Sequence, residues 1–153
     1  MAKYRLLTLD ELQALEKEFV DYLVANGIPA DEWEKIKEKD PDAADRIVDL
    51  FSDVIMEGVL RKTSYVEHYS KNRVTTFYFQ EQEVTMIAMS CDNLDTYFTD
   101  PNYIAFAASN PPENLKISRQ TKTYQKERSE EIWDLIQQGC TVSDGKLYRA
   151  LDS

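Results

Sequence analysis

The chain has 153 residues, 42% of them apolar and 30% charged, with 4 glycines, 5 prolines and a formal net charge of −10. That length suits one domain with its own core, and the low glycine and proline counts exclude fibrous or disordered classes. Residues 1–60 carry 15 acidic and 7 basic groups, a net of −8, while residues 61–153 carry 13 and 11, a net of −2, so the acidity that repels phosphate backbones and anionic membranes lies in the N-terminal part.

No apolar run approaches the ~18 residues of a membrane span. The opening MAKYRLLTLDE has no apolar core of a signal peptide, which sets a cytoplasmic expectation. Cys91 and Cys140 are far apart and form no Cys-x-x-Cys, so they read as reduced core thiols. With His68 as the single histidine, no zinc site or other metal site is expected, and no cofactor.

In chain order, Thr8-Leu9-Asp10-Glu11 forms a capping box, with Leu7 and Leu12 spaced as a hydrophobic staple. Leu12, Leu15, Phe19, Tyr22 and Leu23 predict one helix that runs to Gly27. Asp31 is placed to cap a second helix over about residues 32–39, anchored by Trp33 and Ile36. Asp40-Pro41 restarts a third, in which Ala44, Ile47, Val48, Phe51, Val54 and Ile55 form an apolar stripe to about Leu60. Asp42, Asp45, Asp49, Asp53 and Glu57 fall on its opposite side.

Beyond Arg61 the period becomes strand-like, predicting strands over residues 63–69, 74–80 and 84–91, with Gln80-Glu81-Gln82-Glu83 as a hairpin connection. Residues 92–113, with Asp100-Pro101 and Asn110-Pro111-Pro112, read as a long connection. A strand over 115–125 and a helix over 127–138, closed by Gly139, come next. Asp144-Gly145 predicts a hairpin that pairs residues 140–142 with Leu147-Tyr148. The expected fold is α+β in a single domain, residues 1–153. Helices occupy 1–60 and pack on a mainly antiparallel sheet within 61–153, with one late helix.

Each chemical feature has a bland reading. Phe77 and Phe79 have the alternation of a base-stacking strand, with Lys71 and Arg73 nearby, but no Gly-rich aromatic motif accompanies them. They read as core, with Tyr78 on the other face, and no nucleic-acid partner is expected. His68 reads as a surface or sheet-packing residue, since its neighbour Glu67 points to the opposite strand face and cannot orient it. Cys91 stands beside Asp92, whose charge disfavours a thiolate. Asp92, Asp95 and Asp100 fail the calcium-loop pattern at Leu94. No phosphate-loop or nucleophile-elbow motif occurs. Lys116, Arg119 and Lys122 read as a charged edge strand that resists edge-to-edge pairing.

The segment "YRLLTLDELQALEKEFVDYLVANGI", followed by "DEWEKIK" and "RIVDLFSDVIMEGVLRKTSYVEH", resembles a family of uncharacterised bacterial proteins known mainly from the Bacteroidetes. The resemblance covers roughly the first half of the chain at least. It implies a bacterial, cytosolic context and brings no activity, cofactor or catalytic residue.

The functional expectation leans away from catalysis, toward a small binding module that meets a protein partner or a second copy of itself. Its candidate residues are Asp42, Asp45, Asp49 and Asp53, spaced three or four apart on one helix side. The same row also reads as a solvated face. The alternative is a small-molecule-binding protein or enzyme whose pocket between sheet and helices uses His68, tyrosines and the 92–113 connection.

Overall fold

The structure is a computed structural model that describes residues 2–91, 97–100, 102–104 and 115–152. Most of the predicted 92–113 connection, including Asp92, Asp95 and Pro111-Pro112, lies outside the described residues. The chain forms two compact units, Met1–Val59 and Leu60–Ser153.

The first unit is helical: α1 (Leu9–Ala14), α2 (Glu16–Ala25), α3 (Ala30–Lys39) and α4 (Pro41–Lys62), the end of α4 falling in the second unit. The capping box is present, with the Glu11 N–H donating to Thr8 Oγ1 at 3.2 Å and the Thr8 N–H to Glu11 Oε1 at 2.9 Å. Arg5 grips the same carboxylate with both terminal nitrogens, at 2.8 and 2.9 Å. These donors, Arg5 foremost and then the Thr8 backbone, hold the Glu11 carboxyl down at about 2.

The helical geometry corrects two expectations. The predicted first helix is two helices, because Leu15 leaves helical geometry at φ −106°, ψ 22° and ends α1 while preceding α2. Neither proline nor glycine marks that break. The second predicted helix starts earlier, at Ala30, and its N-cap is Pro29, with no side-chain cap from Asp31. Asp40 does cap α4, accepting from the Ala43 N–H at 3.1 Å.

Among the described residues, the second unit holds an antiparallel five-stranded sheet, order β4-β3-β2-β1-β5. Its strands are β1 (Tyr65–Ser70), β2 (Arg73–Phe79), β3 (Glu83–Ser90), β4 (Lys116–Thr123) and β5 (Thr141–Ser143). An α+β fold with helices first and a mainly antiparallel sheet is what the sequence predicts. The late helix, α5 (Arg128–Gln137), lies against β1 and buries Ile132, and Gly139 comes after it at φ 102°.

The predicted C-terminal hairpin is the third correction. Residues 141–143 do form a strand, but β5 pairs with β1, Tyr65 opposite Ser143 and Glu67 opposite Thr141. The chain then enters helix α6 (Lys146–Asp152). The Asp144 carboxylate accepts from the Lys146 N–H at 3.1 Å, and Ser143 Oγ accepts from the Gly145 N–H at 3.2 Å. These short polar side chains turn the chain into a helix rather than a hairpin. Gly145 has φ 82°, and a Cβ there would come within 2.6 Å of the Tyr65 ring. Leu147 and Leu151, one helical turn apart, pack beside Val74, Met89 and Phe98. Tyr148 meets Tyr65 and Tyr78, which stack at 4.9 Å.

Arg128, the first residue of α5, ties several chain ends together. Its guanidinium donates to the carbonyls of Leu60 (3.2 Å), Thr63 (2.6 Å), Phe79 (3.1 Å) and Gln80 (3.2 Å). Tyr124 Oη lies within reach of the Gln80 and Glu83 carbonyls, which flank the β2–β3 hairpin.

Substitution tests both the cap and the arginine. Thr8→Ala should cost about 1 kcal/mol in urea denaturation by removing the cap. The depressed Glu11 carboxyl adds stability above the ordinary glutamate value of 4.5, which is lost as pH falls through about 2. An acid titration of wild-type and Thr8→Ala, Glu11→Gln protein should therefore differ in slope in that window. Arg128→Ala should destabilise by about 2–4 kcal/mol, because it strands carbonyls that no longer meet a charged donor. Arg128→Lys should recover less than half, since an ammonium lacks the planar fork. Equal stability of Lys and Arg at this position would show that the fork geometry is irrelevant.

Candidate functional site

The acidic row of α4 divides into an outward and an inward part. Asp42 and Asp45 are exposed, whereas Asp49 and Asp53 are half-buried. Asp53 Oδ1 accepts from the backbone N–H groups of Lys3 at 2.7 Å and Tyr4 at 3.3 Å. Glu57, one turn on, accepts a short hydrogen bond from the Tyr4 hydroxyl. Burial and that carboxylate push the Tyr4 hydroxyl up to about 12. The Leu7 N–H then donates to buried Ser52 Oγ at 3.3 Å. An N-terminal arm thus runs along α4 and uses part of its acid row for binding within the unit. Sequence reasoning missed the arm, although Tyr4 and Leu7 were its signal: large apolar residues placed before any helix begins.

On another side of the same unit the helices leave an apolar groove of about 590 Å³. Leu9 and Leu12 of α1, Phe19, Val20 and Val24 of α2, and Trp33 of α3 line it. The floor is aromatic. Phe19 meets Trp33 edge-on at 5.2 Å and Phe51 at 4.9 Å, and Phe51 is buried. The rim is open, with Leu9 78% exposed, Val24 64% and Val20 48%. Glu16, Glu34 and Lys37 are its charged members, and Lys37 pairs with Glu34 at 3.0 Å.

In the second unit His68 is exposed, opposite Thr75, and Glu67 is buried on the other sheet face opposite Thr76. Glu67 accepts a short hydrogen bond from the Tyr69 hydroxyl. Burial, and after it the Glu67 carboxylate, raises the Tyr69 hydroxyl above its ordinary range. Tyr69, Phe98, Thr99 and Ile104 line a hollow of about 340 Å³. His68 lines neither this hollow nor the groove. Phe77 and Phe79 are buried, stacked at 6.3 Å, so that face presents no aromatic platform for bases.

Both cysteines are buried and neither is in a disulfide, and burial pushes the Cys140 thiol up, away from the reactive thiolate. Among the described residues, no group of three His, Cys, Asp or Glu side chains is placed to hold a metal ion, and no helix is long and apolar enough to cross a membrane. Asp42, Asp45, Asp49 and Asp53 lie along α4 in the helical unit, and His68 stands on the sheet.

No curated protein matches the chain, and no solved structure does. The model of one family, described as a family of unknown function (DUF6495), matches residues 1–153, so the chain belongs to that family.

Proposed function

We propose that the protein is a non-catalytic interaction module whose helical unit receives a basic amphipathic helix from a protein partner. The observation that carries this reading is the groove: large apolar side chains stand exposed around an aromatic floor. An amphipathic helix lays its apolar face into such a groove through residues spaced one turn apart. The unit around it carries the net −8 of residues 1–60, from 15 acidic and 7 basic groups, which favours a cationic partner. Asp42 and Asp45, exposed on α4, would act chiefly on the encounter rate and not on the docked contact. His68 has no part in this reading.

A designed helical peptide of leucine and lysine provides the probe, and Trp33 in the groove provides the fluorescence signal. Val24→Lys, in the groove, should weaken binding about tenfold or more. Leu50→Lys makes the same charge change at an exposed site outside the groove lining and should have little effect. Changing Asp42 and Asp45 to Asn should slow association and flatten its salt dependence while leaving dissociation nearly unchanged. Equal weakening by Val24→Lys and Leu50→Lys would reduce the interaction to net charge and refute the groove.

A further inference from the structure

We infer that the hollow beside Tyr69 is a binding site for a small organic ammonium ion, held by aromatic rings and by the charge of Glu67 behind them. The site lies wholly in the second unit and is independent of the groove. Its starting point is a buried acid. Glu67 of β1 is only 8% exposed, and a carboxylate so placed ordinarily has a cation or several donors to match it. Among the described residues, the Tyr69 hydroxyl is the one side-chain group that donates to it, and no lysine, arginine or histidine pairs with it. The residues directly opposite, on the same sheet face, are Thr76 and Thr141, and neither is charged. Their hydroxyls are spent elsewhere, Thr76 donating to the Ile87 carbonyl at 2.8 Å and Thr141 to the backbone carbonyl of Glu67 at 3.5 Å.

Tyr69 joins this charge to the hollow. It lines the hollow of about 340 Å³ with Phe98, Thr99 and Ile104, while its hydroxyl donates to Glu67. Burial and the Glu67 carboxylate raise that hydroxyl above its ordinary range, so the phenol stays protonated and keeps donating. The described wall is therefore aromatic and aliphatic, with the Tyr69 and Thr99 hydroxyls as its polar side-chain groups and no carboxylate of its own. A hard metal ion needs several oxygen ligands and is poorly served there. An anion is repelled by the buried acid, and a neutral guest leaves its charge unmatched. An alkylammonium ion meets each condition: ring faces attract the cation, hydroxyl oxygens accept its N–H groups, and its alkyl part meets Phe98 and Ile104. The adjoining rings already hold an ammonium in this way. Lys71 Nζ lies 5.3 Å from the centre of the Tyr97 ring, which meets Tyr103 edge-on at 6.1 Å, and Tyr103 lies 5.7 Å from Phe98. The volume is at the low end for ligand pockets, which restricts the occupant to a small amine.

The probes are n-butylammonium chloride and its neutral counterpart n-butanol, titrated into the full chain and followed by proton–nitrogen correlation NMR. Saturable shifts should centre on the backbone amides of Tyr69, Phe98 and Ile104, with n-butylammonium bound about tenfold more tightly than n-butanol. Glu67→Gln removes the charge but keeps an acceptor for the Tyr69 hydroxyl. It should weaken n-butylammonium about tenfold and leave n-butanol nearly unchanged. Ile104→Trp fills the hollow without touching the charge and should weaken both guests, which keeps the test decisive should Glu67→Gln not fold. Equal affinity of wild-type protein for the two guests, or an unchanged n-butylammonium Kd in Glu67→Gln, would reduce the hollow to an apolar cavity and overturn the inference. Shifts that spread over the acids of α1 to α4 and persist in Ile104→Trp would show only loose association of a cation with an acidic chain. That result overturns it too, as does the absence of saturable shifts.

Discussion

The second unit depends on where the Arg128 guanidinium points. As the first residue of α5, Arg128 puts a positive charge at the helix end where the backbone dipole disfavours it. Its hydrogen bonds explain the placement. They go to Leu60 at the end of α4, to Thr63 just beyond it, and to Phe79 and Gln80 where β2 gives way to its hairpin. A helix C-terminus leaves carbonyls without partners, and a strand end does the same. One planar fork serves both sets. Glu131 offsets the local charge from within α5, its carboxylate accepting from the Gln125 and Lys126 N–H groups at 2.8 and 3.0 Å. The start of α5 is thereby fixed from both sides of the chain.

The helical unit solves a different problem. Carboxylates three and four residues apart on α4 repel one another. Part of the compensation is local: Asp53 accepts from two backbone N–H groups, and Glu57 accepts from the Tyr4 hydroxyl. Charge-assisted hydrogen bonds of this sort are among the stronger ones a half-buried group can make. The acid row is thus a mixture of scaffold and surface, and only its N-terminal part, Asp42 and Asp45, is exposed.

Features determined by local chemistry could be read in the sequence. The Thr8 to Glu11 capping box, the Asp40-Pro41 restart and the Gln80 to Glu83 hairpin are each specified within four residues, and each is present. The alternation of Phe77, Tyr78 and Phe79 correctly separated two sheet faces. Failures came where the decision is made at a distance. Asp144-Gly145 suits a hairpin or a helix start, and the choice falls to Leu147 and Leu151, which find Val74 and Met89 only in the folded sheet. The groove was invisible for a similar reason. Its members on α1, α2 and α3 read as core by spacing, and nothing in spacing says that Leu9 and Val24 remain uncovered. Arg128 was passed over because a lone arginine at a helix start has no sequence signature for binding carbonyls from two other elements.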